Sequence, residues 1–163
     1  MPTLNHFSFQ QVPGQPIQPS PASLAAMGPL IQIQIEVPSA LAESLRLTNQ
    51  PIPNPVDGVA LIDTGATITS IHADILTGLG IQPIGIANVG TAGGPQQQST
   101  YPARFTFPGT NLPGFELSQV IGCNLTGQMA PGQRPIIGLI GRDVLANAVL
   151  VYNGSAGMFS LSF

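Results

Sequence analysis

Four apolar residues, Val59-Ala60-Leu61-Ile62, run without a break into Asp63-Thr64-Gly65-Ala66-Thr67, with Gly58 in front of them. A short apolar run bounded by glycines is the pattern of a buried strand. That strand ends on a carboxylate, in a turn tight enough to call for Gly65. A carboxylate at the edge of an apolar core is costly unless it is hydrogen-bonded, paired or used in chemistry. Whatever fold the chain adopts has to answer for Asp63.

The rest of the composition makes that placement conspicuous. Charged residues are 7% of the 163, against about 25% in an average soluble protein. There is no lysine, and the arginines are Arg46, Arg104, Arg134 and Arg142. With a formal net charge of -3 and no basic cluster, the footprint of a nucleic-acid binder is missing. Attraction to acidic membrane surfaces is disfavoured for the same reason. Apolar runs such as Val144 to Tyr152 are too short to span a bilayer. No basic region followed by an apolar core opens the chain, so no secretory signal is expected. The single Cys123 rules out an intramolecular disulfide framework and permits a reducing compartment. A soluble, cytoplasmic protein follows, with no nucleic-acid or membrane partner. His6 and His72 form no metal-ligand cluster, and neither metal nor cofactor is expected. Cys123 reads as a buried small hydrophobe.

Taken in order, residues 1–28 carry Pro2, Pro13, Pro16, Pro19 and Pro21 among glutamines and serines. That composition predicts a flexible, partly polyproline-like tail, with His6, Phe7 and Phe9 solvated. The domain proper is expected over 29–163. Leu30 to Val37 alternates apolar and polar and predicts a half-buried strand stopped by Pro38. Ser39 to Leu47 suits a short helical turn, and Pro51, Pro53 and Pro55 an extended connector. Thr67 to Ile71 is strand-like by its β-branched content, and His72 to Leu79 suits a short helix. Ile84 to Val89 and Tyr101 to Phe107 look like paired strands enclosing a glycine-rich tip and a run of glutamines. Phe115 to Ile121 is another strand, Gly127 to Pro135 a loop, and Ile136 to Gly141 a second buried run. A short helix over Arg142 to Asn147 precedes a closing hairpin, Val149–Tyr152 with Met158–Phe163. The sum is mainly β, with one or two short helices.

The sequence Ala60-Leu61-Ile62-Asp63-Thr64-Gly65-Ala66, the glycine-tipped hairpin and the later Leu139-Ile140-Gly141-Arg142-Asp143 together resemble the retropepsin-like aspartic proteases. These are the single-lobed relatives of pepsin, and the resemblance covers about residues 29 to 163. It implies a single-lobed acid protease fold, closed by a flap hairpin and working as a homodimer on polypeptide substrates. Asp63, Thr64 and Gly65 then stand as the catalytic triplet, with Thr64 bonding across the two-fold axis. Ala66 and the tip Val89, Gly90, Thr91, Ala92, Gly93 and Gly94 would contact substrate. Leu139, Ile140 and Gly141 would pass behind the catalytic loop, buttressed by Arg142. In two places the chain departs from the pattern of the family it resembles. Ala66 stands where pepsin-like enzymes carry Ser, so one donor to the carboxylate is absent, and activity is expected from mildly acidic to near-neutral pH. Thr67 stands where retroviral members often carry an acid for the arginine, so Arg142 needs Asp74 or backbone carbonyls instead. Met158 to Phe163 is apolar enough to interleave at a dimer interface.

The chemistry constrains stoichiometry independently of the family. Peptide hydrolysis by paired carboxylates needs two of them around one water, one accepting a proton while the other donates. The only aspartates are Asp57, Asp63, Asp74 and Asp143, and one alone lies in Asp-Thr-Gly. A single chain therefore holds half a dyad, and an enzyme of this kind must pair two copies about a two-fold axis. The alternatives are a dimeric peptide-binding or assembly module of the same fold without turnover, an ordinary turn at the hairpin tip, and a tail that is a precursor segment removed by self-cleavage.

Overall fold

The computed structural model describes residues 1–10, 18–91 and 94–163. In chain order the elements are β1 (Thr3–Phe7), β2 (Phe9–Gln10), β3 (Gln18–Pro19), α1 (Pro21–Met27), β4 (Leu30–Glu36), α2 (Ser39–Leu47), β5 (Val56–Ile62), β6 (Ser70–His72) and α3 (Ala73–Gly78). They continue with β7 (Gly85–Thr91), β8 (Gly94–Thr106), β9 (Phe115–Cys123), β10 (Met129–Ala130), β11 (Arg134–Ile140), α4 (Arg142–Leu145), β12 (Val149–Asn153) and β13 (Met158–Ser162). The fold is mainly β, as predicted, but four short helices are described rather than one or two.

The main sheet runs β10-β11-β5-β4-β8-β9-β6, with β7 attached to β8. A further pairing of β6 with β11 joins the path to itself. Six strands therefore close around the core, and β4 shows how the alternation is used: Ile31, Ile33 and Ile35 face in and Gln32 faces out. Phe105, Ile33, Ile35 and Ile71 are each less than 2% exposed, and burying such a side chain fully stabilises by about 1.5–3 kcal/mol. The strand that matters for the site is β11. It lies parallel to β5 and antiparallel to β6, with Gly138 opposite Ala60 and Ile71, and Leu139 opposite Leu61 and Ser70. The second buried run is thus laid between the strand entering the Asp63 loop and the strand leaving it.

Four further expectations need correction. Where described, residues 1–28 are not an unstructured tail. β1 pairs with β13 in register from Thr3↔Ser162 to Phe7↔Met158, and the His6 ring lies 5.2 Å from that of Phe159. In Thr3–Phe7 a period of two puts Leu4 and His6 inward, a signal the surrounding prolines and glutamines hide. Ser20 then caps α1, its hydroxyl accepting the Ser23 N–H at 3.1 Å, with Pro21 in the first turn. The predicted prolines Pro13 and Pro16 lie outside the described residues.

The hairpin partner also differs from the expected one. β7 pairs with the glutamine stretch, Gly85↔Thr100 through Thr91↔Gly94, whereas Tyr101 to Phe105 pairs with β9. The glutamines are a strand because this arm stands in solvent and needs polar side chains. The strand after Gly65 is shorter than predicted, since the Thr67 carbonyl accepts the Asp143 N–H and the Thr69 N–H donates to the Asp143 carboxylate, and only the Thr69 carbonyl reaches a neighbouring strand, at Ile121. Finally, β13 is the centre of a β1-β13-β12 sheet, so both of its edges are occupied within one chain and it cannot interleave without displacing a neighbour.

Candidate functional site

Asp63 follows directly on β5, and its N–H donates to the Ile140 carbonyl at 2.9 Å. The carboxylate is held by its own loop: Oδ1 accepts the N–H of Gly65 at 2.8 Å and of Ala66 at 3.3 Å. This is the turn that a short acidic side chain makes with backbone two residues on. Oδ2 receives no hydrogen bond from a described residue, and Asp63 is half-buried. A Cβ on residue 65 would sit 3.0 Å from Oδ1, so glycine lets the amide approach the acid. Desolvation at the strand end is answered by these amides.

Behind the loop, two consecutive residues of α4 grip it. Arg142 Nη1 donates to the Thr64 carbonyl at 3.0 Å, and Nη2 donates to Thr67 Oγ1 at 2.9 Å. The backbone N–H of Arg142 donates to Ala66 O at 2.9 Å, and that of Asp143 to Thr67 O at 3.2 Å. The arginine's partners are therefore a backbone carbonyl and the hydroxyl at the very position lacking an acid. Asp74 plays no part, lying instead 3.7 Å from His72 Nε2.

Asp143 stands in the motif with no role assigned from the sequence, yet its carboxylate braces the same loop at Thr69. Its Oδ2 accepts the Thr69 N–H at 2.9 Å, and its Oδ1 accepts the Thr69 hydroxyl at 2.7 Å and the Val144 N–H at 2.9 Å. The Thr69 hydroxyl in turn accepts the N–H of Gly141 at 3.0 Å. The available signal was an acid in the first turn of a predicted helix, where exposed amides favour negative charge. Gly141 is buried against this loop, and a Cβ there would meet Ile68 C at 2.7 Å and Thr69 N at 2.8 Å.

In front of Asp63 lies a cleft of about 570 Å³. Of the predicted contacts, Gly65 and Ala66 line it from the loop and Val89 and Gly90 from β7; Leu139, expected as support, also faces it. Thr91 and Gly94 pair with each other farther along the hairpin; Ala92 and Gly93 lie outside the described residues. Thr64 does not line the cleft. It is exposed, and its hydroxyl makes no hydrogen bond to a described residue. Ile140 and Gly141 are buried behind the loop. The lining that sequence reasoning missed includes Ile68, Ala87, Gln98, Ile121 and Cys123. Alternation along β7 carries Ala87 with Val89, but the approach of β9 was not readable. Cys123 is half-buried, and burial pushes its thiol up to about 11, so it is a neutral wall group.

Among the described residues Asp63 is the sole carboxyl lining this cleft, beside small and aliphatic side chains and the amides of Asn88 and Gln98. Among the described residues no group of histidine, cysteine and acidic side chains is placed to hold a metal ion, and no helix is long and apolar enough to cross a membrane. The family model described as aspartyl protease matches residues 53–144, from the connector before β5 into α4. No curated protein matches the chain.

Proposed function

This chain belongs to the retropepsin-like aspartyl protease family, and from that premise we propose that it is an aspartic endopeptidase whose active unit is a homodimer. The observation that carries the reading is Asp63, held by two loop amides through Oδ1, with Oδ2 free to meet water in an otherwise uncharged cleft. Two copies of Asp63 share one proton and one water across the two-fold axis. One carboxylate takes a proton from the water as its oxygen attacks the scissile carbonyl carbon. The other gives its proton to the carbonyl oxygen, forming a neutral diol that collapses when the amide nitrogen is protonated.

Thr64, exposed and with its hydroxyl uncommitted inside the chain, is the residue we assign to contact between the two loops. The β7–β8 hairpin acts as the flap: Val89 and Gly90 line the cleft from above, so substrate is covered as an added strand and water is limited. Residues 29–163 form the protease domain in this reading, with β1 added to its closing sheet. The single Cys123 suits a reducing, cytoplasmic setting.

The test is a peptide library incubated with wild type and with Asp63→Asn, alongside the mass in solution. Cleavage by wild type that is lost in the variant, from a species of twice the chain mass, is the expected result. Equal activity in both proteins overturns the reading. A stable dimer that cuts nothing between about pH 4 and 8 and does not bind a statine-type mimic identifies a non-catalytic peptide-binding or assembly module instead.

A further inference from the structure

A second cavity, of about 310 Å³, lies between β1, the C-terminal end of α1 and the β4–β5 pair. It shares no lining residue with the Asp63 cleft. Leu4, Phe7, Met27, Leu30 and Val59 give it apolar walls, and Arg134 and His6 supply nitrogen donors. Its volume is at the low end of the roughly 300–1,000 Å³ of small-molecule sites.

The charges of the whole chain bear on what fits there. All seven acidic side chains lie among the described residues, and each has a partner elsewhere. Glu36 pairs with Arg104 and Glu43 with Arg46; Glu116 is bonded to Ser39 and Asp57 to Gln34. Asp74 lies against His72, while Asp63 and Asp143 serve the loop of the first site. Arg46 and Arg104 are thereby engaged, Arg142 is bonded to Thr64 and Thr67, and the guanidinium of Arg134 makes no hydrogen bond or ion pair to a described residue. Arg134, exposed and with its guanidinium unpaired among the described residues, stands at the rim of an apolar cavity. Its charge is felt inside: the His6 imidazole is held below its ordinary value by burial first and by Arg134 second. A neutral His6 keeps one ring N–H to donate.

We propose that this cavity binds a small amphipathic monocarboxylate, its carboxylate on Arg134 and its apolar body against Leu4, Phe7 and Met27. A guanidinium offers two parallel N–H donors that match a carboxylate. A neutral ligand leaves that charge unanswered, and a cation is repelled by it. The chemistry is common to a free aliphatic acid and to the C-terminal residue of a peptide.

Calorimetric titration of the full chain with octanoate and with N-acetyl-leucine, each beside its neutral amide, separates these cases. Saturable one-to-one binding of at least one acid is expected, weaker by about tenfold or more for its amide and in Arg134→Gln. Asp63→Asn should bind as wild type does. Octanoate alone binding identifies a free acid; N-acetyl-leucine alone binding identifies a peptide terminus. Met27→Phe, which narrows the cavity and keeps the charge, should also weaken binding, and it decides the matter if Arg134→Gln does not fold. The proposal is overturned if neither acid saturates at millimolar concentration, if an amide binds as well as its acid, or if Arg134→Gln, folded, or Met27→Phe binds like wild type.

Discussion

At Thr67 the guanidinium of Arg142 meets a hydroxyl at 2.9 Å where an acid would make an ion pair. Because the geometry is already in place, Thr67→Asp should add a charge partner without moving the loop. The expected gain is about 0.5–1 kcal/mol, the scale of an exposed pair, read as a small rise in Tm with catalysis retained. Thr67→Val should cost about 1 kcal/mol by removing that bond; an unchanged Tm in both variants would mean the contact is not formed. Asp143 is the larger effect, since its carboxylate accepts three hydrogen bonds around Thr69 and Val144. Asp143→Ala should cost about 2–4 kcal/mol and lower peptidase activity through a loosened loop, whereas Asp143→Asn keeps two of the three acceptances and should cost less. Full stability and full activity in Asp143→Ala would remove it from the loop's support. Asp63 was readable in the sequence because an apolar strand leading into Asp-Thr-Gly is a local pattern. The role of Asp143 was not, because its partner Thr69 lies 74 residues away and nothing local announces the pairing.

The elements repeat that division between local and distant signals. β4, α2 and the closing hairpin follow from patterns within each segment, and they fall where predicted. β1 and the hairpin partner of β7 depend on which edge is left for them, and there composition misled. Gly141 is where an element's position is set by backbone contact: a Cβ would press on the backbone of Ile68 and Thr69 at 2.7 and 2.8 Å, and no rotamer change relieves that. Gly141→Ala should therefore cost about 3 kcal/mol, a fall in Tm of roughly 5–10 °C, by pushing α4 off the Asp63 loop. A thermal scan showing no loss would mean the helix sits farther away. β1 has a different sensitivity, through His6. Its folded value lies below the ordinary 6.5 because of burial and the nearby Arg134, so between those two values the unfolded chain holds a proton that the folded chain does not. Stability then falls as pH drops from about 6.5 toward the folded value and levels off beneath it. In His6→Phe that contribution to the pH dependence should vanish. Hydrogen exchange of the β1 amides at pH 7.5 and 5 compares the two, and a slope equal in both proteins would assign it to another group.

For the whole molecule, counting was more informative than pattern. In the proposed reading, one Asp-Thr-Gly per chain calls for a second copy, but nothing in the sequence says which surface would receive it. β13, the apolar closing segment, is enclosed by β1 and β12. The open edges of that sheet are β1 and β12, and the outer strand β12 exposes Val149 and Val151, each about half accessible at 51% and 52%. An unpaired edge with β-branched side chains and no charge is suited to contact with another chain. If the enzyme works only as a pair, activity must depend on concentration in a way that no single-chain site can reproduce. Specific activity should fall on dilution below the dimer dissociation constant and recover on reconcentration. Mixing provides the sharper measurement, because Asp63→Asn chains should fold and pair normally while supplying no second carboxylate. With a threefold excess of that variant and random exchange, wild-type pairs are about one-sixteenth of all dimers, so activity per wild-type chain should drop to about a quarter. A site complete within one chain would lose nothing under the same mixture, and undiminished activity after verified subunit exchange would show that Asp63 does not need its counterpart.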